Sequence, residues 1–310
     1  MAEESKTTVL AALTANAAIA VGKLVAGVLS GSAALLAEAG HSFADTADQV
    51  FLLIGINRSD ARADEDHPHG YGKEAFFWSF LAAIFIFVAG ATFSFYEGVR
   101  TLIELHVHDR SAFDLGLAFG VLAMAFIFES TSFSIAIRGL RNGARSRGWT
   151  FRRFLRESPD LSVKTVFWED GAALIGLIFA AAGLGLAELT GSEAWDGVAS
   201  ILIGVVLAIA AIVLGLQARN LLLGAAAAPD TRRTIRETVS AFPEVTALTR
   251  LLTMQLGPAS ILVNGELSLR HDLTIEQAEA LMLRIDAAVS NAVPEVRDTF
   301  WELHHRAPGD

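Results

Sequence analysis

HSFAD, residues 41 to 45, places a histidine and an aspartate four residues apart inside a long apolar stretch. In a helix, residues i and i+4 point the same way, so His41 and Asp45 share a face that Asp48 extends by a turn. This is also the spacing by which one helix offers two ligands to a metal ion. A membrane helix over about 33–57 would put Asp45 near the bilayer middle. An aspartate there costs about 3 kcal/mol even on the lenient insertion scale, and such residues face the bundle interior and find partners. A second acidic pair, Glu169 and Asp170, stands in FWEDGAALIG. Helix neighbours lie about 100° apart, so one of the two points squarely at any shared site. Gly171, Ala172, Ala173 and Gly176 follow, small enough to admit another helix closely. Two such helices side by side would offer His41, Asp45 and Asp170, with Glu169 or Asp48 as a fourth, oxygen, donor. One imidazole and two or three carboxylates suit a divalent cation such as Zn²⁺, Fe²⁺, Co²⁺ or Mn²⁺. The competing reading is structural pairing. Acidic groups in two separate apolar stretches, one backed by a histidine at ligand spacing, weigh toward metal or proton transport.

The elements that must position these residues follow from composition. Of the 310 residues, 53% are hydrophobic and the mean hydropathy is +0.45. The apolar residues gather in six blocks, at about 9–29, 33–57, 76–103, 112–138, 163–187 and 196–222. Each has the length a helix needs to cross a hydrocarbon core of about 30 Å. The leader MAEESK is acidic on balance, unlike the positive start of a cleaved signal peptide. With no cysteine there are no disulfides or thiolate ligands, so any metal must bind nitrogen or oxygen. A net charge of −10 argues against nucleic acid as a partner.

Residues 138–156 hold seven arginines between the fourth and fifth blocks, whereas the odd-numbered connections contain one arginine and no lysine. The positive-inside rule then places both termini, the arginine segment and the 58–74 loop in the cytoplasm. The arginines set topology and meet anionic lipid. Other ionisable residues fall inside the blocks. Lys23 could snorkel or pair within a vestibule. Glu129 could hydrogen-bond Ser130 or Ser132, or carry protons. Asn16 could donate a packing hydrogen bond or an oxygen, and Glu38 and Glu97 lie toward the outer side, where they would attract cations. Beyond the blocks, a helix at about 230–241, strands in VTALTRLLTMQL and ILVNGELSLR, a Thr-capped helix and a final strand spell an αββαβ tail. The expected organisation is an all-α six-helix transmembrane domain, 1–223, and a small α+β ferredoxin-like domain, 224–310.

SGSAALLAEAGHSFAD, DHPHGYGKEAFFWS and FWEDGAALIGL, together with the six blocks and the αββαβ tail, resemble the cation diffusion facilitator family over almost the whole chain. The ED pair and FYEG stretch are most similar to its zinc transporter 9-like branch. The resemblance implies a divalent-metal/proton antiporter, homodimeric through its tail, with a four-ligand metal site between spans two and five. His41, Asp45 and Asp170 match that site. The remaining position is Val166, so Glu169 becomes the candidate fourth ligand and Asp48 the alternative. Exchanging a nitrogen for an oxygen shifts preference toward harder cations. A secondary loop metal site would use Asp64 and His67, with Asp66 and His69 substituting because the third family position is Tyr71. Lys73 matches a lysine that pairs in some members with an acid after span six, where this chain reads LLLGAAAA. Glu266, Glu279, His304 and His305 remain near the tail's metal positions without forming a set.

Metal binds deprotonated ligands and displaces protons. Moving two charges outward against 100 mV costs about 4.6 kcal/mol, and each returning proton recovers about half of that. Efflux of Zn²⁺, or of Fe²⁺, Co²⁺, Mn²⁺ or Cd²⁺, by exchange with protons is therefore the expected activity, in a prokaryotic inner membrane, with no prosthetic group and no enzymatic reaction. A membrane metal sensor signalling through the tail and an intramembrane metalloenzyme are the alternatives.

Overall fold

The computed structural model describes residues 2–104, 110–159 and 161–303, with side chains from residue 16 on except at 162. The chain divides into two compact units. The first comprises residues 1–56, 77–156 and 160–218, and the second 57–76, 157–159 and 219–310.

The first unit is helical. Helices α1 (Ala2–Ser30) and α2 (Ala33–Ser59) meet at a turn where Gly31 takes a positive φ of 61°. A stretch from Glu74 follows as α3 (Glu74–Phe85), a π-helical segment (Ile86–Thr92) and α4 (Phe93–Glu104). Next come α5 (Ala112–Ser146), the short α6 (Phe151–Glu157), α7 (Leu161–Thr190) and α8 (Ala194–Leu222). Ser111 and Asp114 open α5 with a reciprocal capping box. Among the described residues, four helical stretches, Glu74–Glu104, Ala112–Ser146, Val163–Thr190 and Ala194–Leu222, are long and apolar enough to cross a membrane. Helix α2 has the length, at 27 residues, but carries Glu38, Asp45 and Asp48. The described apolar part of α1 is Asn16–Ser30.

This unit is apolar outside and charged inside. Ile103 and Ile127 are 77% and 68% exposed, whereas Lys23, Glu38 and Asp48 are fully buried. That inversion suits a lipid solvent, which rewards exposed aliphatic side chains and penalises exposed charge. Small residues set the helix spacing. A Cβ on Gly98 would lie 2.7 Å from the Gly197 carbonyl oxygen and 2.9 Å from the Ile201 nitrogen, so α4 and α8 meet backbone to backbone. The Ser200 hydroxyl reinforces the contact by donating to the Ser94 carbonyl at 2.8 Å. The π-helical segment lays Gly90 against Leu207 of α8 and beside Ala44 of α2, the residue before Asp45.

The second unit contains α9 (Pro229–Ser240), β1 (Val245–Gly257), β2 (Ser260–Leu269), α10 (Ile275–Ala292) and β3 (Val296–Leu303), the αββαβ order expected from periodicity. The sheet runs β1-β2-β3, with β1 antiparallel and β3 parallel to β2. Parallel pairing of β2 and β3 requires a crossover, and α10 supplies it. Ile235 and Val239 of α9 and Leu281, Ile285 and Val289 of α10 bury against Val263 and Leu267 of β2. Thr274 and Gln277 cap α10 reciprocally, and Asp286 accepts from the Trp301 indole at 2.7 Å and the Thr299 hydroxyl at 2.6 Å.

The Gly98 contact is testable, because the atoms a Cβ would strike belong to the backbone and cannot rotate away. Gly98→Ala should force α4 from α8 and destabilise the protein by roughly 1–3 kcal/mol. The expected readout is a lower Tm in thermal unfolding of the detergent-solubilised chain; an unchanged Tm would contradict the close crossing.

Candidate functional site

Helix α2 carries His41, Asp45 and Asp48 into the interior of the first unit, and α7 brings Glu169 and Asp170. His41 Nδ1 lies 3.2 Å from Asp45 Oδ1, within ion-pair distance but without hydrogen-bond geometry. The carboxyl groups of Asp48 and Glu169 face each other across the two helices. They can bond only when one of them carries a proton. The Ser132 hydroxyl of α5 donates to Asp170. Glu129, also on α5, is buried with Lys23, Glu38 and Asp170 as its charged neighbours.

Many polar atoms of this cluster have nothing to bond. Both ring nitrogens of His41, Asp45 Oδ1, both oxygens of Asp48, Glu169 Oε1 and Asp170 Oδ2 are buried without hydrogen-bond partners. Each such atom costs about 1–3 kcal/mol, more if charged. Concentrated in one place and drawn from nitrogen and oxygen donors, they are the chemistry of a cation or proton site. In this conformation the donors stop short of coordination. Among the described residues, no three His, Asp or Glu side chains converge to metal-holding distance.

Of the two readings open for Lys23, the structure takes pairing, and it moves Glu38 from its expected place. Lys23 does not snorkel: it is fully buried, its Nζ 2.9 Å from Glu38 Oε2 and 2.7 Å from Ser42 Oγ. Glu38 is therefore an interior ion-pair partner rather than a vestibule charge, while Glu97 lies 3.8 Å from Arg100. Facing carboxylates are the physical reason, since they offer an ammonium more than a distant interface does. A Lys and a Glu within the first two blocks were visible signals, Glu38 lying three residues before His41 on the same face.

A second polar knot was not legible. Arg110 grips Glu193 through two bonds, of 2.8 and 2.6 Å, and donates from Nε to the Ser30 carbonyl at 2.6 Å. Nearby, Asp196 accepts from the Ser32 hydroxyl at 2.7 Å and from the Ala33 amide at 2.5 Å. These bonds join the α1–α2 turn to the start of α8.

In the second unit, the described loop residues Asp64, Asp66, His67 and His69 are not gathered at metal-holding distance in this conformation. Asp64 accepts from the Tyr71 hydroxyl at 2.6 Å and the His67 amide at 2.7 Å, with His67 Nδ1 at 3.5 Å. His69 turns instead to Asp298 of β3, 3.0 Å away. The loop is thus split between an internal anchor and a bond to the sheet. Lys73 donates to the Leu222 carbonyl at 3.5 Å. In the tail, Glu266 pairs with Arg250 at 3.2 Å. His304 and His305 lie outside the described residues.

A bundle with apolar faces outside and a histidine–carboxylate cluster within has the make-up of an integral membrane protein. The family description "Cation efflux transmembrane domain" matches residues 9–223. The chain belongs to the cation diffusion facilitator family. It is 31% identical over 244 residues to the mitochondrial proton-coupled zinc antiporter SLC30A9 of Xenopus laevis, covering 79% of this chain and 43% of the relative. It is likewise 31% identical over 247 residues to metal tolerance protein C4 of Arabidopsis thaliana, covering 80% and 53%. With the cation-efflux pump FieF of Shewanella oneidensis it shares 27% identity over 274 residues, covering 87% and 85%. The chain spans about half the length of the first two of these relatives. Among solved structures, a nickel form of the MamM CTD matches with 20% identity and a TM-score of 0.24, covering 26% of this chain and 100% of that one.

Removing the Tyr71 hydroxyl tests how the loop is anchored. The Tyr71 hydrogen bond, followed by the His67 amide, holds the Asp64 carboxyl below its ordinary value, and the same bond raises the Tyr71 phenol. A lowered folded value means the anchor is present above the ordinary carboxylate range and is lost as pH falls through Asp64's own titration. In Tyr71→Phe the Asp64 midpoint should move up toward about 3.9, and the loop should loosen at a higher pH than in the native protein. Carboxyl-detected NMR titration would measure both; an unmoved midpoint would show that the phenol does not set it.

Proposed function

We propose that this chain is a secondary active transporter that exports a divalent transition-metal cation, Zn²⁺ foremost and Fe²⁺, Co²⁺, Mn²⁺ or Cd²⁺ as alternatives, in exchange for protons. The observation that carries this reading is the set of buried, unpartnered His41, Asp45, Asp48, Glu169 and Asp170 atoms on α2 and α7. His41, Asp45 and Asp170 would bind the cation, with Glu169 as fourth ligand and Asp48 as its alternative. The donors now stop short of coordination, so small movements of α2 against α7 would complete the site, as alternating access requires. Protons would then compete for the same oxygens and expel the metal. Glu129, a charged neighbour of Asp170, would pass protons to it.

In this reading α1 and α2 complete a six-span transport domain, residues 1–223. Residues 224–310 form a ferredoxin-like domain that dimerises and regulates. Both termini face the cytoplasm, and a prokaryotic inner membrane is the proposed location. The names of the SLC30A9 and FieF relatives, a proton-coupled zinc antiporter and a cation-efflux pump, support transport over sensing or catalysis.

The test is metal-driven proton flux in proteoliposomes, with Zn²⁺, Fe²⁺, Co²⁺, Mn²⁺ and Cd²⁺ in turn. Asp45→Ala and Asp170→Ala should each lower flux roughly 10–100-fold or more, the loss seen even for residues that only support metal ligands. Glu169→Ala should do the same if it supplies the fourth oxygen; flux surviving in that variant alone leaves the position to water or to Asp48. Native flux in Asp45→Ala, or metal movement indifferent to a pH gradient, would overturn the reading.

A further inference from the structure

Lys23 is sealed among the candidate ligands. Its side chain and that of Glu38 are both fully buried, and Nζ satisfies itself on Glu38 Oε2 at 2.9 Å and Ser42 Oγ at 2.7 Å. Ser42 is the neighbour of His41, and Glu38 lies one helical turn before it. The charge on Lys23 also acts on His41, Asp45 and Glu129. A lysine ammonium therefore occupies the end of the acidic face of α2.

The second observation concerns the other oxygen of Glu38. Oε1 is buried and has no hydrogen-bond partner. It lies in the space left by Gly176 of α7, where a Cβ would stand 2.0 Å from it. The protein thus houses a carboxylate with one oxygen held by Lys23 and the other bare, a turn away from His41. Packing alone gives no reason for this, since a buried ion pair adds little over apolar residues of the same volume. Carrying a cation does give one, because a transport site must hold its ion firmly enough to load and loosely enough to release.

We propose that Lys23 sets the affinity of the cation site. By holding Glu38 and by opposing the incoming charge, it keeps Glu38 from becoming an extra ligand that would trap a divalent cation at His41 and Asp45. Lys23 is a positioning residue, acting on the metal through Glu38 and through its own field. The inference rests on the reading of His41 and Asp45 as the cation site.

Two substitutions test it, because the proposal requires them to act in opposite directions. Lys23→Met removes the opposing charge and frees Glu38; Zn²⁺ should bind roughly tenfold more tightly or better, and turnover in proteoliposomes should fall as release slows. Glu38→Gln keeps the ammonium and removes its counter-charge; Zn²⁺ should bind roughly tenfold more weakly. Titration calorimetry on the full-length protein in nanodiscs reads both; tighter binding in Lys23→Met supports the proposal by itself, and an unmoved affinity in Glu38→Gln overturns it even if Lys23→Met does not fold. A merely structural pair would weaken binding in both variants or leave it unchanged, and a Zn²⁺ affinity within about twofold of native in a folded variant overturns the proposal. Asp45→Ala separates the two levels. Lost binding there, with unmoved affinity in Lys23→Met, refutes only the role of Lys23. Native binding in Asp45→Ala removes the site itself, and the proposal with it.

Discussion

The cost of holding ionised groups away from water governs this molecule. Inside a bundle whose outer surface is aliphatic, each carboxylate must find a cation, a proton or a donor. Lys23 answers for Glu38, Ser132 partly for Asp170, and Asp48 and Glu169 turn to each other. His41 and Asp45, with atoms of Asp48, Glu169 and Asp170, are left with unmet capacity. Everything around them serves to keep water out and backbones close: the alanine-rich core, the glycine crossing of α4 with α8 and the π-helical segment beside Ala44. The bundle is arranged around a deficit of positive charge.

Much of this was readable from residue order. The i, i+4 spacing of His41 and Asp45 sufficed to put them on one buried face, because helical periodicity fixes direction whatever the surroundings. The αββαβ tail was equally open to reading, since alternating strands and a Thr-capped helix are local signals. The fate of Lys23 was not, because the choice between snorkelling and pairing depends on which neighbours fold against α1. The partners of the exposed loop were hidden for a related reason. Asp64, Asp66, His67 and His69 have the composition of a metal site, and the tyrosine at 71 and the aspartate at 298 bond two of them, Asp64 and His69. One of those partners is more than two hundred residues away along the chain.

The two units also differ in what holds them. The second has Ile, Leu and Val side chains between sheet and helices and ion pairs at its surface. Such exposed pairs add little to stability. In the first unit several polar contacts are buried, with Arg110 and Glu193 the clearest example. Polar interactions there decide which helices are tied together, while apolar burial between helices gains little against lipid.

Asp196 shows what that tying means. It sits in the first turn of α8 and also accepts from the Ala33 and Ala34 amides that open α2. A single carboxylate thereby serves the positive ends of two helix dipoles. The first turn of α2 contains no acidic residue to do this for itself. Helix α2, which bears His41 and Asp45, and helix α8 consequently share a pivot. A tilt of α2 that kept this joint would carry the head of α8 with it as one rigid body; a tilt that broke it would leave a buried carboxylate facing nothing.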